Sequence, residues 1–494
     1  MKATPFARIA RRVGATGSGG ISRRHFLQTG LAAAGYCLFG GVARAGAGAP
    51  RVIVVGAGFG GLSTAWQLRQ AGADVVVLEA RNRVGGRVLS LDRFIPGSVV
   101  EGGAELIGSN HPTWNAYARH FGLEFRDVTP SQDDRAPIIL DGKRFEGKAL
   151  ADLWDRLGEA LAQMNSDAHT VNREEPWKTP DADRLDHMSL AEAAAAWPVA
   201  EDARRAALAV LANDDATWPE NESYLATLST IAGGGYEQFW TESEVYRCVG
   251  GNQELAFKLA AAVGEERIHL KTPITSIDLK ESGVEVRTKT GARFEGDLVV
   301  LTVPPAAWDA FSITPSLPDN YRVNSGPAIK YLSKVSRPFW VDDGLHPNSL
   351  TDTPVGETWE GTDAQRATDE EPACLSVFSG GAAAAACLAF PAANRHAEFA
   401  KYLEAIYPGY NKHFEKAMFM GWPNEEWTRC GYSCPAPGQV TGVFPNLRAG
   451  FRDRLFFAGE YASLLFTGYM EGGLRSGAEL AQRLAGQLNL KATT

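Results

Sequence analysis

Three glycines and one acid near the start of the chain have the spacing of a phosphate-containing cofactor site. An apolar run ends at Gly56, and Gly58 and Gly61 follow it. In such a pattern Gly56 allows a tight turn, Gly58 lets the backbone approach a pyrophosphate, and Gly61 lets a helix pack closely on a sheet. Glu79 lies 23 residues after Gly56, where a carboxylate can accept both hydroxyls of an adenosine ribose. The spacing therefore predicts a strand, a glycine turn, a helix and a second strand that together bind an adenine dinucleotide.

A second glycine pair narrows the choice of dinucleotide. Gly85 and Gly86 are followed at once by Arg87, which would bring more backbone and a cation to the same diphosphate. Alone, these residues also suit a glycine-rich turn with a solvated arginine, but after Glu79 they favour FAD over NAD. The segment from Glu79 to Arg87 resembles the signature of the flavin amine oxidase family, which includes monoamine, polyamine and L-amino acid oxidases.

Lys330 is the strongest single candidate for a catalytic residue. It lies inside the apolar run 328–332, where a lysine is either a snorkelling residue on an edge strand or a buried functional amine. Composition alone favours the edge residue. The resemblance reverses that preference, because a family lysine occurs shortly before an aromatic pair, here Phe339 and Trp340. In the family this lysine holds a water against flavin N5 and assists reoxidation by dioxygen.

Aromatic residues late in the chain are candidates for the substrate site. Tyr469 follows Gly468 just before a predicted terminal helix, and without the resemblance it would be only a core aromatic residue. The resemblance implies that Tyr469 forms one wall of an aromatic cage that holds a neutral amine. It also implies that the Gly468 carbonyl accepts a hydrogen bond from the N–H of that amine. Tyr432 and Trp427 are the candidates for the opposite wall, and Trp359 lies in a region that lines the pocket in related oxidases.

The resemblance also assigns the cofactor site, in which Ile274 would contact the adenine through its backbone. Two helix N-termini, distant in sequence, would face the diphosphate. Cys430 falls near the covalent flavin cysteine of mitochondrial-type monoamine oxidases, but Gly431 and Tyr432 after it differ from the family context. Non-covalent FAD is therefore expected, with a covalent link through Cys430 as the alternative. The residues expected to bind FAD are Gly56, Gly58, Phe59, Gly60, Gly61, Glu79, Ala80, Arg81, Gly86, Arg87, Gly103, Ala104, Glu105, Ile274, Val303, Trp427, Gly459, Glu460, Gly468, Tyr469 and Met470.

The implied reaction is oxidative deamination by hydride transfer from the α-carbon of a neutral amine to flavin N5. Water then converts the imine to a keto compound and ammonia, and dioxygen reoxidises the flavin to give hydrogen peroxide. The turn 101–108, the run 250–255 and the export signal look most like those of bacterial L-amino acid oxidases, so 2-oxo acids are the expected products.

Two positions depart from relatives of known selectivity. Leu106 stands where snake-venom-type L-amino acid oxidases carry an arginine for the substrate carboxylate. Gly108 stands where plant-type polyamine oxidases carry an acid for a remote ammonium. A monoamine or polyamine oxidase therefore remains an alternative, as does an amine dehydrogenase with another electron acceptor. A purely structural flavoprotein would need neither Lys330 nor Tyr469.

The N-terminal 45 residues are predicted to be a twin-arginine export signal. Ser22-Arg23-Arg24 precedes a glycine- and alanine-rich apolar stretch, and Ala43-Arg44-Ala45 fits a cleavage site. The stretch is too interrupted for a good membrane anchor, so we expect a periplasmic or secreted enzyme. Loss of its seven positive charges takes the formal net charge from −9 to −16, which disfavours nucleic acid as a partner.

Five cysteines remain after the signal, too few for a disulfide scaffold, although Cys430 and Cys434 could pair. No Cys and His cluster has metal spacing, so no metal site is expected. The expected partners are a small amine or amino acid, dioxygen and a second copy of the chain in a homodimer, with no stable membrane insertion.

The fold is predicted to be α/β, with a Rossmann-like FAD-binding domain, a sheet-containing substrate domain and a helical insertion. Strand and helix patterns divide the mature chain into five segments. These are a first FAD-binding segment (50–115), a mainly helical insertion (116–245), a second FAD-binding segment (246–320), a substrate-binding domain (321–425) and a third FAD-binding segment (426–490).

Overall fold

The computed structural model describes residues 48–129 and 136–490. The predicted export signal, residues 1–45, lies outside the described residues. Within the described ranges no helix combines the length and apolar character that crossing a bilayer requires. The same ranges contain five cysteines, all buried and free, so Cys430 and Cys434 are not paired.

One sheet is built from the apolar runs that flank the glycine turns. Its strand order is Leu455–Phe457, Leu298–Leu301, Arg51–Val55, Asp74–Leu78 and Ile268–His269. All neighbouring strands run parallel, and the central three are almost entirely buried. Apolar strands without alternation are what a parallel sheet covered on both faces requires. The α/β fold predicted from the sequence is confirmed.

Two helices at opposite ends of the described chain pack together beside this sheet. The first helix spans Phe59–Gln70 and begins directly after the glycine turn. The terminal helix spans Met470–Gln487. The Ser63 hydroxyl donates to the Leu474 carbonyl across their contact, at 2.7 Å. The packing therefore brings the C-terminal segment to the glycine turn of the N-terminal segment.

The segment predicted to be mainly helical is helical over most of its length. One helix, Pro112–Phe121, begins before the segment and ends within it. The helices wholly inside the segment are Gly147–Ala168, Ala182–His187, Leu190–Ala195, Glu201–Asp214, Tyr224–Gly233 and Glu237–Glu242. The segment also contains strands Phe125–Asp127, Ile138–Leu140 and Lys143–Phe145. Strands Ile138–Leu140 and Lys143–Phe145 belong to the edge of a second sheet. Ile138–Leu140 pairs in parallel with Ser349–Thr351, and Lys143–Phe145 pairs with Ile138–Leu140.

The second sheet has seven strands within the described residues and carries Lys330. Its order is Phe414–Gly421, Ala328–Val335, Ala373–Gly380, Glu357–Glu360, Ser349–Thr351, Ile138–Leu140 and Lys143–Phe145. The strand Ala328–Val335 pairs with a neighbour on both sides. Lys330 is therefore on an interior strand and not on an edge.

The remaining strands of the described chain form a separate four-stranded sheet and three two-stranded sheets, the last with Phe125–Asp127. The remaining strands are Ser90–Ile95, Ser98–Glu101, Tyr246–Cys248, Ile274–Lys280, Gly283–Thr288, Arg293–Gly296, Ser312–Thr314, Ser325–Gly326 and Tyr432–Ser433. The remaining α-helices are Gln253–Val263, Gly381–Ala389, Arg395–Ile406, Tyr410–His413, Gln439–Gly442 and Phe444–Ala449. Short 3-10 turns are Pro176–Lys178, Pro219–Asn221, Glu265–Arg267, Pro305–Ala310, Asp319–Tyr321, Phe339–Asp343, Trp422–Asn424, Glu460–Ala462 and Leu464–Phe466.

Candidate active site

A cleft opens at the carboxyl ends of the parallel strands. The residues that follow four of these strands line it, among them Gly56, Glu79, Val303 and Gly459. Carboxyl ends of parallel strands meet at one edge of a sheet, where the backbone turns away and leaves a crevice for a ligand. The cleft is therefore where the glycine spacing predicted a dinucleotide.

Most of the residues expected to bind the cofactor line this cleft. They are Gly56, Gly58, Phe59, Gly60, Glu79, Ala80, Arg81, Gly86, Arg87, Ala104, Ile274, Val303, Trp427, Gly459, Glu460, Gly468, Tyr469 and Met470. The sequence reasoning missed further lining residues, including Thr272, Pro273, Phe311 and Gly473. Thr272 and Pro273 directly precede Ile274 and could have been found from it.

The glycine turns lie close to one another, and side chains there would close the cleft. Gly56 has a φ of +106°, which favours glycine. A Cβ on Gly60 would come within 3.0 Å of the Gly459 Cα. A Cβ on Gly86 would come within 3.2 Å of the Gly58 Cα. The bare backbone leaves N–H groups free to approach a diphosphate, so the glycines fit the predicted cofactor.

Gly61 is also crowded, but it lies behind the lining. A Cβ on Gly61 would come within 2.8 Å of the Thr302 hydroxyl oxygen. This is the role the spacing predicted for it, namely packing the first helix against the sheet.

Glu79 is buried at the end of its strand with a fixed carboxylate. Its Oε2 accepts the Ala57 N–H at 2.7 Å, and its Oε1 accepts the Arg81 N–H at 2.8 Å. The Arg81 side chain forms an ion pair with Glu425 and donates to the Thr428 hydroxyl at 2.6 Å. These bonds orient an acid at the predicted ribose position.

Arg87 connects the second glycine pair to the C-terminal turn. Its guanidinium donates to the Gly431 carbonyl at 2.9 Å and pairs with the Glu460 carboxylate at 2.9 Å. Glu460 also accepts the Gly468 N–H at 3.0 Å. The cation at the cleft is therefore held by an acid, and that acid in turn fixes the turn before Tyr469.

Tyr432 and Tyr469, which we call the aromatic pair, both line the cleft. Both are 4% exposed. Gly468 directly precedes Tyr469 and has a φ of +81°. A Cβ on Gly468 would come within 2.9 Å of the Tyr432 ring, so this turn packs against Tyr432. Of the candidates for the opposite wall, Tyr432 is the one beside the Gly468 turn, while Trp427 lines the cleft elsewhere.

His111 packs against Tyr469 of the aromatic pair. Its ring contacts Tyr469 edge-on at 5.5 Å between centroids. Burial lowers its pKa to about 3, so the imidazole is neutral. It accepts the Gly108 N–H through Nδ1 at 2.9 Å. Gly108, the position of an acid in polyamine oxidases, is thus part of a packed turn.

Lys330 lies in a buried charge network next to the cleft lining. It is fully buried; its Nζ forms an ion pair with Glu105 and donates to the Glu101 carbonyl at 3.0 Å. The Trp359 ring lies 5.2 Å from Nζ, and its indole N–H donates to Glu105 at 3.0 Å. Arg247 also pairs with Glu105, at 2.8 Å. Burial opposes ionisation of Glu105, but Lys330 and Arg247 hold its pKa below the ordinary value.

Three of the predicted site residues lie outside the cleft lining. Glu105 was expected at the cofactor, but it lies in the Lys330 network outside the cleft lining. Gly103 also lies outside the lining, against the Arg87 backbone and the Trp422 ring. Trp359, a candidate for the substrate pocket, has its ring beside the Lys330 amine and is absent from the cleft lining. The sequence showed Glu105 next to a glycine turn but could not show which side chain would neutralise it.

Leu106, the position of a carboxylate-binding arginine in some relatives, is buried among apolar side chains. Its cluster consists of Leu106, Ala216, Ala328, Trp359, Phe378 and Tyr432. The cluster adjoins Tyr432 of the aromatic pair and Trp359 of the Lys330 network. A substrate at the aromatic pair would therefore meet an apolar surface on this side.

Comparison with known proteins agrees with this geometry. Residues 59–485 match the family model described as flavin containing amine oxidoreductase. An L-amino acid dehydrogenase of Synechocystis sp. is 26% identical over 88% of this chain and 95% of its own length. The human flavin-containing amine oxidase B is 25% identical over 88% of this chain and 85% of its own.

Solved structures show the same fold. A putrescine oxidase bound to putrescine superimposes with a TM-score of 0.79 over 88% of this chain and 99% of its own, at 24% identity. The cyclohexylamine oxidase from Brevibacterium oxydans IH-35A has a TM-score of 0.79 over 89% of this chain and 100% of its own, also at 24% identity.

Proposed function

Because the chain belongs to the flavin-containing amine oxidoreductases, with FAD as its cofactor, we propose that it deaminates L-amino acids oxidatively to 2-oxo acids. The observation that carries the proposal is the aromatic pair Tyr432 and Tyr469 in the cleft that the glycine turns also line. Bound FAD supplies the acceptor for the hydride that leaves the α-carbon.

The side chains of the site would position a neutral amine. Two aromatic faces hold a flat or extended group without donating a proton to it. The Gly468 carbonyl can accept an amine N–H, and the bond from Gly468 to Glu460 fixes that turn. Burial of the pair excludes water while the C–H bond is broken. We propose that Lys330 assists the return of the cofactor to its oxidised state.

The choice of L-amino acids is supported by the name of the Synechocystis relative. That name, a dehydrogenase, also makes an acceptor other than dioxygen a specific alternative. Arg247 and Arg87 belong to the charge networks that adjoin the aromatic pair, and each is bound to carboxylates. A substrate carboxylate would have to compete with these partners.

A second candidate is an oxidase of amines that lack a carboxylate. It is favoured by Leu106 in its apolar cluster, because an apolar wall there cannot neutralise a carboxylate. The human relative is named an amine oxidase. The two candidates share the cofactor, the aromatic pair and the hydride step, and differ in what lies opposite the amine.

The test is anaerobic reduction of the purified flavoprotein followed by a search for the acceptor. Bleaching of the flavin absorbance by L-amino acids, but not by D-amino acids or simple amines, is expected. Air or an added quinone then restores the colour, and hydrogen peroxide appears only if dioxygen is the acceptor. Reduction by amines but not by L-amino acids would replace the first candidate with the second.

We further propose export through the twin-arginine segment and assembly as a homodimer. Export is supported by Arg23 and Arg24 ahead of the apolar stretch. Replacing both with lysine should leave the protein in the cytoplasmic fraction of its host. Light scattering of the purified protein tests the dimer.

A further inference from the structure

Glu105 is the only acid that forms an ion pair with Lys330 among the described residues, and the proposed reaction gives this acid no task. Its Oε2 accepts the Lys330 amine. Its Oε1 accepts the Trp359 indole N–H at 3.0 Å and the Arg247 guanidinium at 2.8 Å. Glu105 is 1% exposed, and Lys330 is fully buried. Both carboxylate oxygens are therefore occupied by donors, and two of the three donors are cations.

The positive charge of Lys330 depends mainly on Glu105. The other contacts of the lysine Nζ are the Glu101 carbonyl at 3.0 Å and an indole ring at 5.2 Å, which carry no net charge. Arg247, in contrast, has a second acid, because its guanidinium also pairs with Asp363. A buried amine without a counter-charge loses its proton more readily, since burial disfavours the charged form. Glu105 is therefore the group that favours the ammonium form of Lys330.

Water does not screen this ion pair. Ala104, which precedes Glu105, lines the cofactor cleft, and Arg247 and Trp359 line a second cavity. Neither Glu105 nor Lys330 belongs to either lining. Charges out of contact with water interact strongly, so the loss of one member of the pair changes the other.

Glu105 also has a fixed place relative to the cofactor cleft. The Asn252 side-chain amide donates to the Glu105 carbonyl at 2.6 Å and to the Ala104 carbonyl at 3.2 Å. Ala104 is part of the cleft lining. The carboxylate that binds the Lys330 amine is therefore attached to the cleft wall, and it fixes the position of the amine relative to that wall.

We infer that Glu105 is a positioning residue for the reoxidation of the cofactor: it holds the Lys330 amine beside the cleft and keeps that amine positively charged. The inference rests on the proposed role of Lys330 in returning the cofactor to its oxidised state. In that step two electrons and one proton pass from the reduced cofactor to dioxygen, and solvent supplies a second proton, so that hydrogen peroxide forms. A fixed positive charge stabilises the negative charge that reaches dioxygen with the electrons. Lys330 keeps its own proton throughout.

The other charged and titratable groups that face Lys330 behave differently with pH. Burial raises the pKa of the Glu101 carboxyl to about 7. Burial raises the pKa of the Cys374 thiol, on the neighbouring strand, to about 12, so this thiol stays neutral. Arg247 stays charged at any pH that a protein tolerates. While Glu105 is in place, Glu101 is therefore the one of these groups that titrates between about pH 5 and about pH 9.

The first test replaces Glu105 with glutamine, which keeps the size of the side chain and removes its charge. In Glu105→Gln, the Lys330 amine should lose its proton as the pH rises from about 5 to about 9. The absorbance of the bound flavin, titrated without substrate, should then show a transition that is absent from the double variant Glu105→Gln/Lys330→Met. The rate of reoxidation by dioxygen, divided by the wild-type rate at each pH, should fall roughly tenfold over the same range. Absence of the transition, or a ratio that does not change with pH, would overturn the inference.

Glu360→Gln is the matched control, and Glu101→Gln is a second test that leaves Glu105 intact. Glu360 is also a buried acid but pairs with Arg366, so removal of its charge should give neither the transition nor the change in ratio. If Glu105→Gln does not bind flavin, Glu101→Gln still decides the question. Its flavin absorbance should stay constant over the same pH range, because Glu105 keeps Lys330 charged. A transition in Glu101→Gln would mean that Lys330 titrates beside Glu105, and the inference would be wrong.

Failure of the proposed function has a different signature. If neither L-amino acids nor amines reduce the flavin, the proposed function fails, but the absorbance titrations need no substrate and still report the charge of Lys330. If Lys330→Met is reoxidised at the wild-type rate, the proposed role of the lysine fails. If only the Glu105→Gln results differ from expectation, the inference alone fails.

Discussion

Lys330 illustrates how much a single residue depends on its partners. Its amine is fully buried on an interior strand, with Glu105 as counter-charge and the Trp359 ring beside it. Arg247 shares the same carboxylate. A buried cation with an acid and hydrogen bonds is stable in place, whereas its removal leaves a buried acid short of a partner.

Replacing Lys330 with methionine is predicted to slow flavin reoxidation by dioxygen by roughly tenfold or more, because a positive charge near the developing anion is lost. Stopped-flow reoxidation of the reduced enzyme measures this rate. Lys334→Met is the control, since Lys334 lies on the same strand but pairs with Glu415 and is partly exposed. Reoxidation at the wild-type rate in Lys330→Met would assign the lysine a structural role only.

Glu101 makes stability depend on pH. Burial raises its pKa to about 7, against opposing bonds from Asn252 and Ser90. Because the folded state keeps this proton longer than the unfolded chain, stability falls as pH rises from about 4.5 to 7. Glu101→Gln removes that dependence, so its stability relative to the wild type should increase by up to about 3 kcal/mol between pH 5 and pH 8. Urea unfolding at the two pH values measures the change; a constant difference would contradict it.

At the scale of elements, the contact between the first and terminal helices brings the two ends of the cofactor site together. Gly477 makes this contact close, since a Cβ there would come within 2.5 Å of the Gly60 carbonyl oxygen and 2.9 Å of the Ser63 Cβ. Gly60 in turn lies against Gly459 at the other glycine turn. The helix contact thus sets the distance between two backbone segments that line the cleft.

Gly477→Ala is predicted to destabilise the fold by about 1–3 kcal/mol, because the added methyl group must separate the two helices. Denaturant unfolding and flavin content are the measurements. Gly486→Ala in the same helix is the control: no atom lies within 4 Å of its Cβ position, and alanine favours helix by up to about 1 kcal/mol. Equal stability of the two variants would show that the helix contact tolerates expansion.

At the scale of the whole molecule, the cleft is assembled from segments that are far apart in the chain. Glu79, Ile274, Val303 and Glu460 all line it, yet they come from widely separated stretches of sequence. A ligand that contacts all of them binds only the folded state. FAD should therefore stabilise the assembled fold and not one segment of it.

The flavin-free protein is predicted to unfold at a lower temperature than the holoenzyme. With free FAD at about 100 times its dissociation constant, the added stability is about 2.7 kcal/mol. Thermal unfolding at increasing FAD concentration measures the shift. A melting temperature that does not depend on FAD would mean that the cleft forms without coupling to its cofactor.

The sequence determined the cofactor end of the site because its signals are local. Gly56, Gly58 and Glu79 are separated by short, regular elements, so their spacing fixes where they meet. The same locality predicted the parallel strands, whose apolar runs have no alternation. Gly103 and Glu105 lie outside the cleft lining, next to Ala104, which is part of it. A glycine turn shows that backbones approach one another but not which partners they meet.

The tertiary structure alone decided the substrate end. Tyr432 and Tyr469 reach the cleft from different segments, and no spacing in the chain relates them. Their proximity depends on long-range packing, and so does the pairing of Lys330 with Glu105 across 225 residues. Local spacing thus determined what the protein binds as cofactor, whereas long-range packing decided which side chains meet around Lys330 and the aromatic pair.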